Sequence, residues 1–310
     1  MSQTMPARFQ TLARTAVLVV CAAAAPACEV NLNTEGVTSK DTKTFAVTGR
    51  PDLTLETFDG AIEIHSWDRN EVEVEIEKRA MEQGLLDQMS VEAEQDGDRI
   101  VLRVKGPARR ESGGLTIGVH LSPTARLRVA VPRNLVLQAR TEDGSIKVEN
   151  LEGRLALRTG DGSVTADRLS GDIEIRTGDG AIRIDKVEGR LDLETEDGSI
   201  TVDARPSMLR ARTGDGSIRV QVQPESVMSD AWDLSTGDGS VTLTLPPTFN
   251  AEIDAETSDG AVRSSHPALK IVEHEGEGRR EARRELKTRM GEGGPVLRVR
   301  TSDGSIRFES

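Results

Sequence analysis

Residues 141–146 read Thr141-Glu142-Asp143-Gly144-Ser145-Ile146, and the string returns as Thr159-Gly160-Asp161-Gly162-Ser163-Val164. It recurs as Thr177-Gly178-Asp179-Gly180-Ala181-Ile182, Thr195-Glu196-Asp197-Gly198-Ser199-Ile200 and Thr213-Gly214-Asp215-Gly216-Ser217-Ile218. Consecutive copies stand 18 residues apart, four steps running. The same Thr-x-Asp-Gly-(Ser/Ala)-(Ile/Val) pattern surrounds Asp59, Asp238, Asp259 and Asp303, which makes nine copies. The later steps lengthen to 23, 21 and 44 residues, so those copies carry insertions. Periodicity of this kind marks stacked units, each too small to bury its apolar side alone.

Apolar residues keep phase with the repeat. Counted from each Asp, positions +3, +5, +8, +12 and +14 are Ile146, Val148, Leu151, Leu155 and Leu157 after Asp143. After Asp179 they are Ile182, Ile184, Val187, Leu191 and Leu193. The copy after Asp197 departs once, with Arg205 at +8. Pairs at +3/+5 and +12/+14 are the period-2 signature of two short strands per unit. Two turns join them: Asp-Gly itself, and Glu152-Gly153, Ser170-Gly171 or Glu188-Gly189. Glycine is expected to supply a positive φ in each turn, and Asp to bond its own backbone two residues on.

Asp-Gly also suits an antiparallel hairpin, so a hairpin array and a coiled solenoid both fit the spacing. The outward charges favour the solenoid. Stacked at about 4.8 Å, the units align Arg154, Asp172 and Arg190 in one column and Glu174, Asp192 and Arg210 in another. The fold class expected is therefore all-β: a single-stranded β-solenoid, β-roll or β-helix like, with about 18 residues per coil.

Composition narrows the function. Of 310 residues 36% are apolar but only 2% aromatic, with five Phe, two Trp and no Tyr. Such a core must be built from thin, similar layers, and there are few rings to stack on sugars or bases. The formal charge of −12 repels nucleic acid.

Residues 1–27 read as an export signal. Arg8 and Arg14 precede the run Ala16-Val17-Leu18-Val19-Val20-Cys21-Ala22-Ala23-Ala24-Ala25, which is too short to span a bilayer as a helix. Cleavage after Ala25-Pro26-Ala27 leaves Cys28 first, and loss of the two arginines takes the charge from −12 to −14. A cysteine there resembles the acylated residue of bacterial lipoproteins, and it is the only one left in the mature chain. A lone thiol in an oxidising compartment needs a use. Glu29 rather than Asp beside it implies, by the same resemblance, an outer-membrane destination. Periplasmic or secreted export is the alternative.

Residues 28–44 are polar and read as a flexible tether, 45–135 as an N-terminal β-rich cap, and 136–310 as the repeats, with a polar insertion at 273–294. Within the cap, Asp96-Gly97-Asp98 is expected to turn a hairpin and residues 80–89 to form a short helix. In the insertion, Arg279, Arg280, Arg283, Arg284, Lys287 and Arg289 outnumber Glu281 and Glu285. Ala282, Leu286 and Met290 fall four apart, and Glu285–Arg289 is an i,i+4 pair. The spacing predicts a short exposed helix able to meet an anionic partner such as lipid headgroups.

One stretch carries a family resemblance. Gly60-Ala61-Ile62-Glu63-Ile64-His65-Ser66-Trp67-Asp68-Arg69-Asn70-Glu71-Val72-Glu73-Val74 resembles the opening of the bacterial "putative adhesin" β-strand-repeat domains. Val131-Pro132-Arg133-Asn134-Leu135, leading into the first 18-residue unit, resembles them too. The resemblance implies an envelope-associated β-solenoid over residues 45–310, and transfers no catalytic residue and no cofactor.

Two site hypotheses remain. Stacking would align Asp143, Asp161, Asp179, Asp197 and Asp215, which suggests a cation ladder like that of calcium-binding β-rolls. Those carry acids and glycines at both turns, and calcium wants six to eight oxygens. Plain turn-forming Asp is the reading preferred here. A polysaccharide-acting β-helix enzyme is the other possibility, but acids that recur with the repeat lack the distinctive local cluster an active site needs. His65, His120, His266 and His274 show no metal-ligand spacing, and Trp67 and Trp232 suit plugs for the stack or its cap. The function expected is a non-enzymatic structural or adhesin-like module. Its partner is an envelope or extracellular macromolecule, with membrane attachment through the lipid and no small-molecule substrate.

Overall fold

The structure, a computed structural model, describes residues 31–33, 36–108, 122–269 and 284–310. The expected export signal, Cys28, His120, His274, Arg279, Arg280 and Arg283 lie outside them. All but one of the described elements are strands.

The 18-residue step is a parallel strand register. Ile146 stands beside Val164, Val164 beside Ile182, Ile182 beside Ile200, and Ile200 beside Ile218. On the other side of each unit Leu155 stands beside Ile173, and Ile173 beside Leu191. The Thr-x-Asp-Gly segments therefore do not reverse the chain into hairpins. Each turns it from one ladder of strands to the other, and among the described residues the two ladders join into one solenoid-like sheet of 23 strands. Their inward side chains form a continuous core in which Ile146, Val148, Leu151, Leu155 and Leu157 are 0–1% exposed. Burial of such an aliphatic side chain contributes roughly 1.5–3 kcal/mol. Stability thus accumulates by layers.

Arg205 does not enter that core. The register slips by one between Asp185 and Val187, so Val187 stands beside Ala204, and the slip is compensated between Gly189 and Arg190. Ala204 is buried while Arg205 points out and pairs with Glu188 at 2.7 Å. Burying a guanidinium without a partner costs more than displacing one backbone residue.

Both ends are spliced rather than sequential. The strands Asp52–Thr57 and Ile62–Trp67 lie directly on Asn134–Thr141 and Ile146–Glu149. They are covered in turn by Arg99–Lys105 and Thr124–Pro132. Residues 52–67 thus form a full layer of the stack, not part of a separate cap, and the beat is lost only because hairpins intervene in sequence. At the other end Val296–Thr301 is inserted between Trp232–Thr236 and Ala251–Thr257. In space the corner of Asp303 lies between those of Asp238 and Asp259.

Three local expectations change. Residues 36–44 are not a tether: Gly36–Ala46 is a strand paired antiparallel to Glu71–Ala80. Its alternating polar residues face water on one side, which composition alone cannot distinguish from a loose linker. The helix expected from residue 279 onward is a strand in its described part, Glu285–Met290, antiparallel to Ala251–Thr257. Leu286 and Met290 are buried, and a spacing of four serves a strand's period of two as well as a helix. The helix in the N-terminal region is short, Gln83–Leu86. The turn at Asp96-Gly97-Asp98 does join an antiparallel pair, Ser90–Asp96 with Arg99–Lys105. Trp232 is fully buried against Phe249, with ring centroids 5.4 Å apart, whereas Trp67 is half-buried and carries Arg69 over its ring.

If Ala204 holds the core position, Ala204→Asp should lower unfolding free energy by more than about 2 kcal/mol, and Arg205→Ala should change it by less than about 0.5 kcal/mol. Urea denaturation followed by circular dichroism reads both.

Candidate interaction surface

The corner is built by threonine. In each Thr-x-Asp-Gly the Thr is buried, and in seven of the nine, all but those of Thr57 and Thr257, its Oγ1 accepts from the N–H of the Gly three residues on. The same hydroxyl donates to the glycine carbonyl of the layer before. Thr177 Oγ1 accepts from Gly180 N at 3.3 Å and donates to Gly162 O at 2.9 Å. Thr195 takes Gly198 N at 3.1 Å and gives to Gly180 O at 3.0 Å. The ladder continues through Thr213, Thr236, Thr301 and Thr257. The invariance of this Thr within the repeat is the sequence signal for the hydroxyl ladder, which no periodicity of apolar residues reveals.

The glycine of Asp-Gly serves a different purpose from the one expected. Gly144, Gly162, Gly180, Gly198 and Gly216 are not in positive φ. A Cβ on Gly180 would sit 1.9 Å from the Gly162 carbonyl oxygen, so backbone proximity between layers excludes any side chain. Positive φ belongs to the opposite turn, at Gly153, Gly171 and Gly189, and among the Asp-Gly corners to Gly60.

Asp143, Asp161, Asp179, Asp197 and Asp215 stack as a column of exposed corners. Their side chains make no hydrogen bond to the backbone among the described residues, so the Asx bond expected of them is replaced by the Thr–Gly bond. No group of three His, Cys, Asp or Glu among the described residues is arranged to hold a metal. The end copy differs. Asp59 is partly buried beside Asp143, and burial first, then that neighbouring carboxylate, pushes its pKa above the usual carboxylate range.

Outward charges differ between the two ladders. On the ladder that contains Glu152–Arg158, charges are paired across strands. Asp192, Arg210, Asp233, Arg298, Asp254 and Lys287 alternate in sign along one column. Arg210 lies 3.8 Å from Asp192, Arg212 3.6 Å from Asp233, and Arg300 2.8 Å from Asp254. The Arg300 hydrogen bond holds Asp254 below its ordinary pKa, as Arg176 and Arg158 do for Glu174. Arg154 meets Asp172 at 4.0 Å, in the column expected from the repeat.

The basic residues of the insertion that are described are tied down within the sheet. Arg289 bonds Glu252 at 2.9 Å, Lys287 contacts Glu285, and Arg284 lies 4.0 Å from Asp259. His266 is buried, its Nδ1 accepting from the Ala268 amide at 3.1 Å, and His65 is exposed on a strand. They do not come together.

The stacked Thr-x-Asp-Gly layers have a match. The Toastrack DUF4097 family covers residues 29–309. The chain belongs to the Toastrack DUF4097 family. Among curated proteins none matches it. A solved structure described as a putative adhesin from Parabacteroides merdae is similar at 11% identity and TM-score 0.44, over 87% of this chain and 96% of that one. A putative cell adhesion protein from Clostridium sporogenes shares 14% identity at TM-score 0.28, over 88% and 99%. A putative lipid binding protein from Parabacteroides distasonis shares 11% at TM-score 0.36, over 87% and 97%. Among the described residues no helix of this Toastrack chain is long and apolar enough to cross a membrane.

Thr177→Val keeps the shape but leaves a buried Gly180 N–H and Gly162 carbonyl unbonded, and should cost about 1–3 kcal/mol, with Thr177→Ser closer to the parent in thermal unfolding. For Asp59 the folded pKa lies above the unfolded one, so the folded chain holds the extra proton and stability falls as pH rises through that range. Asp59→Asn should accordingly melt higher than the parent at neutral pH, with the gap closing below about pH 4.

Proposed function

We propose that this Toastrack protein is a non-enzymatic, envelope-associated interaction module of structural or adhesin-like kind. Its form is a single-stranded β-solenoid with coils of 18 residues, a reading supported by the register that joins Ile146, Val164, Ile182 and Ile200. The observation that carries the functional reading is the construction of the outward faces. They are long, charged, fixed in register by the Thr–Gly ladder, and lined by acids that recur rather than converge. Such a face recognises by repeated contacts along its length. Catalysis would require one layer unlike the rest.

Residues 1–27 act as the export signal, and Cys28 carries the lipid that anchors the chain to the outer membrane. Attachment at one end leaves the stack free to meet an external macromolecule.

The unlipidated Cys28→Ser protein should sediment with isolated outer-membrane fractions in a saturable way that weakens with salt. No sedimentation, or glycan turnover abolished by substituting one carboxylate, overturns the reading. Expressed in a Gram-negative host, the parent should partition into the detergent phase and Cys28→Ser into the aqueous phase. Equal partitioning of the two would remove the anchor from the account.

A further inference from the structure

The ladder that contains Ile146–Glu149 carries a column of cations with a different character from those opposite. Running across adjacent strands it reads Lys147, Thr165, Arg183, Thr201, Arg219, Thr242, Arg307, Arg263. Lys147 is held by Glu149 at 2.7 Å. Arg183, Arg219, Arg307 and Arg263 are exposed and make no ion pair or hydrogen bond among the described residues. Arg307 and Arg263 stand directly opposite each other, an arrangement that weakens strand pairing. Two residues along each strand lies a second column, acidic at Glu149, Asp167, Asp185 and Asp203. It turns neutral at Gln221 and Thr244, where the free arginines continue, and Glu309 is its only later acid. On the other ladder the described arginines are paired or hydrogen-bonded except Arg99 and Arg140, which stand in different columns, so several free cations in one line are a property of this face among those described.

We infer that Arg183, Arg219, Arg307 and Arg263 form the contact line for an acidic polysaccharide lying along the stack. The inference rests on the interaction-module reading and names its partner class. Arg183, Arg219 and Arg307 recur every second strand, about 9–10 Å apart. Acid groups carried on alternate sugars of an extended glycan match that interval, and guanidinium takes sulfate, phosphate or carboxylate through two parallel bonds. The half-buried hydroxyls of Thr201 and Thr242 lie between, within reach of sugar oxygens. Duplex nucleic acid fits poorly: each strand carries a phosphate about every 3.4 Å of helix axis, and this face offers no exposed ring. A lipid surface would press headgroups onto Asp167, Asp185 and Asp203 as well, whereas a single polymer chain follows one column.

Immobilised chondroitin sulfate is the probe, with phosphatidylcholine–phosphatidylglycerol vesicles as the second arm. The mature protein should bind the glycan and lose it on raising NaCl well above about 0.15 M, where the screening length is near 8 Å. Replacing Arg183, Arg219 and Arg307 together by Ser should weaken binding about tenfold or more, as loss of charge-assisted contacts predicts. Arg210→Ser with Arg298→Ser, on the opposite ladder, should leave it within about twofold. Should the triple variant fail to fold by circular dichroism, Arg219→Glu carries the same criterion. Equal affinities for the two variants, no glycan binding, or arginine-dependent binding to vesicles alone would overturn the inference. Outer-membrane sedimentation unaffected by the triple substitution would sink the contact line and leave the broader reading standing.

Discussion

The regular layers of this molecule depend on one small hydrogen-bonded unit, a buried threonine hydroxyl that closes its own corner and reaches the corner below. Two backbone groups that would otherwise be orphaned at each turn are satisfied by a single side chain. A buried donor or acceptor left unbonded costs about 1–3 kcal/mol, and the corner recurs through the whole stack. Glycine follows from the same geometry: with backbones this close, the position after Asp has no space for a Cβ. The motif is thus a packing constraint repeated in sequence.

Once the corners are fixed, register is fixed, and with it the outward chemistry. A strand presents every second residue outward, so each layer contributes one residue to each column. Cross-strand ion pairs, among them a column of alternating sign from Asp192 to Lys287, hold the Glu152–Arg158 ladder together, although Arg140, Arg158 and Arg176 stand side by side in another. The other ladder separates its charges into an acidic column and a line of unpartnered arginines. The two faces share one core and differ in what they offer to solvent.

The splices at both ends protect the stack. Open sheet edges recruit other chains, and here the terminal layers end in antiparallel strands rich in charge, Ser90–Asp96 at one end and Glu285–Met290 at the other. A final repeat slotted between two earlier ones, as Val296–Thr301 is, also buries the last regular layer instead of leaving it outermost.

The sequence by itself determined an all-β stack of strands: a strict 18-residue beat, a period of two on either side of it and a ring-poor aliphatic interior admit few architectures. It also exposed the salt-bridged column of Arg154 and Asp172, because columns follow from register alone. What it could not decide were relations between residues far apart in the chain. The position of Asp59 against Asp143 and the insertion of Asp303 between Asp238 and Asp259 depend on which strand edge is free to pair, and the exclusion of Arg205 from the core on a one-residue register slip between neighbouring strands. Local ambiguity accounts for the remainder. Leu286 and Met290 suit either a helix or a strand, and Gly36–Ala46 is too polar to announce its pairing, so in both cases a long-range partner chose the structure. The hydroxyl ladder was unread for a related reason: its acceptor lies in the neighbouring layer, and only stacking brings it within reach.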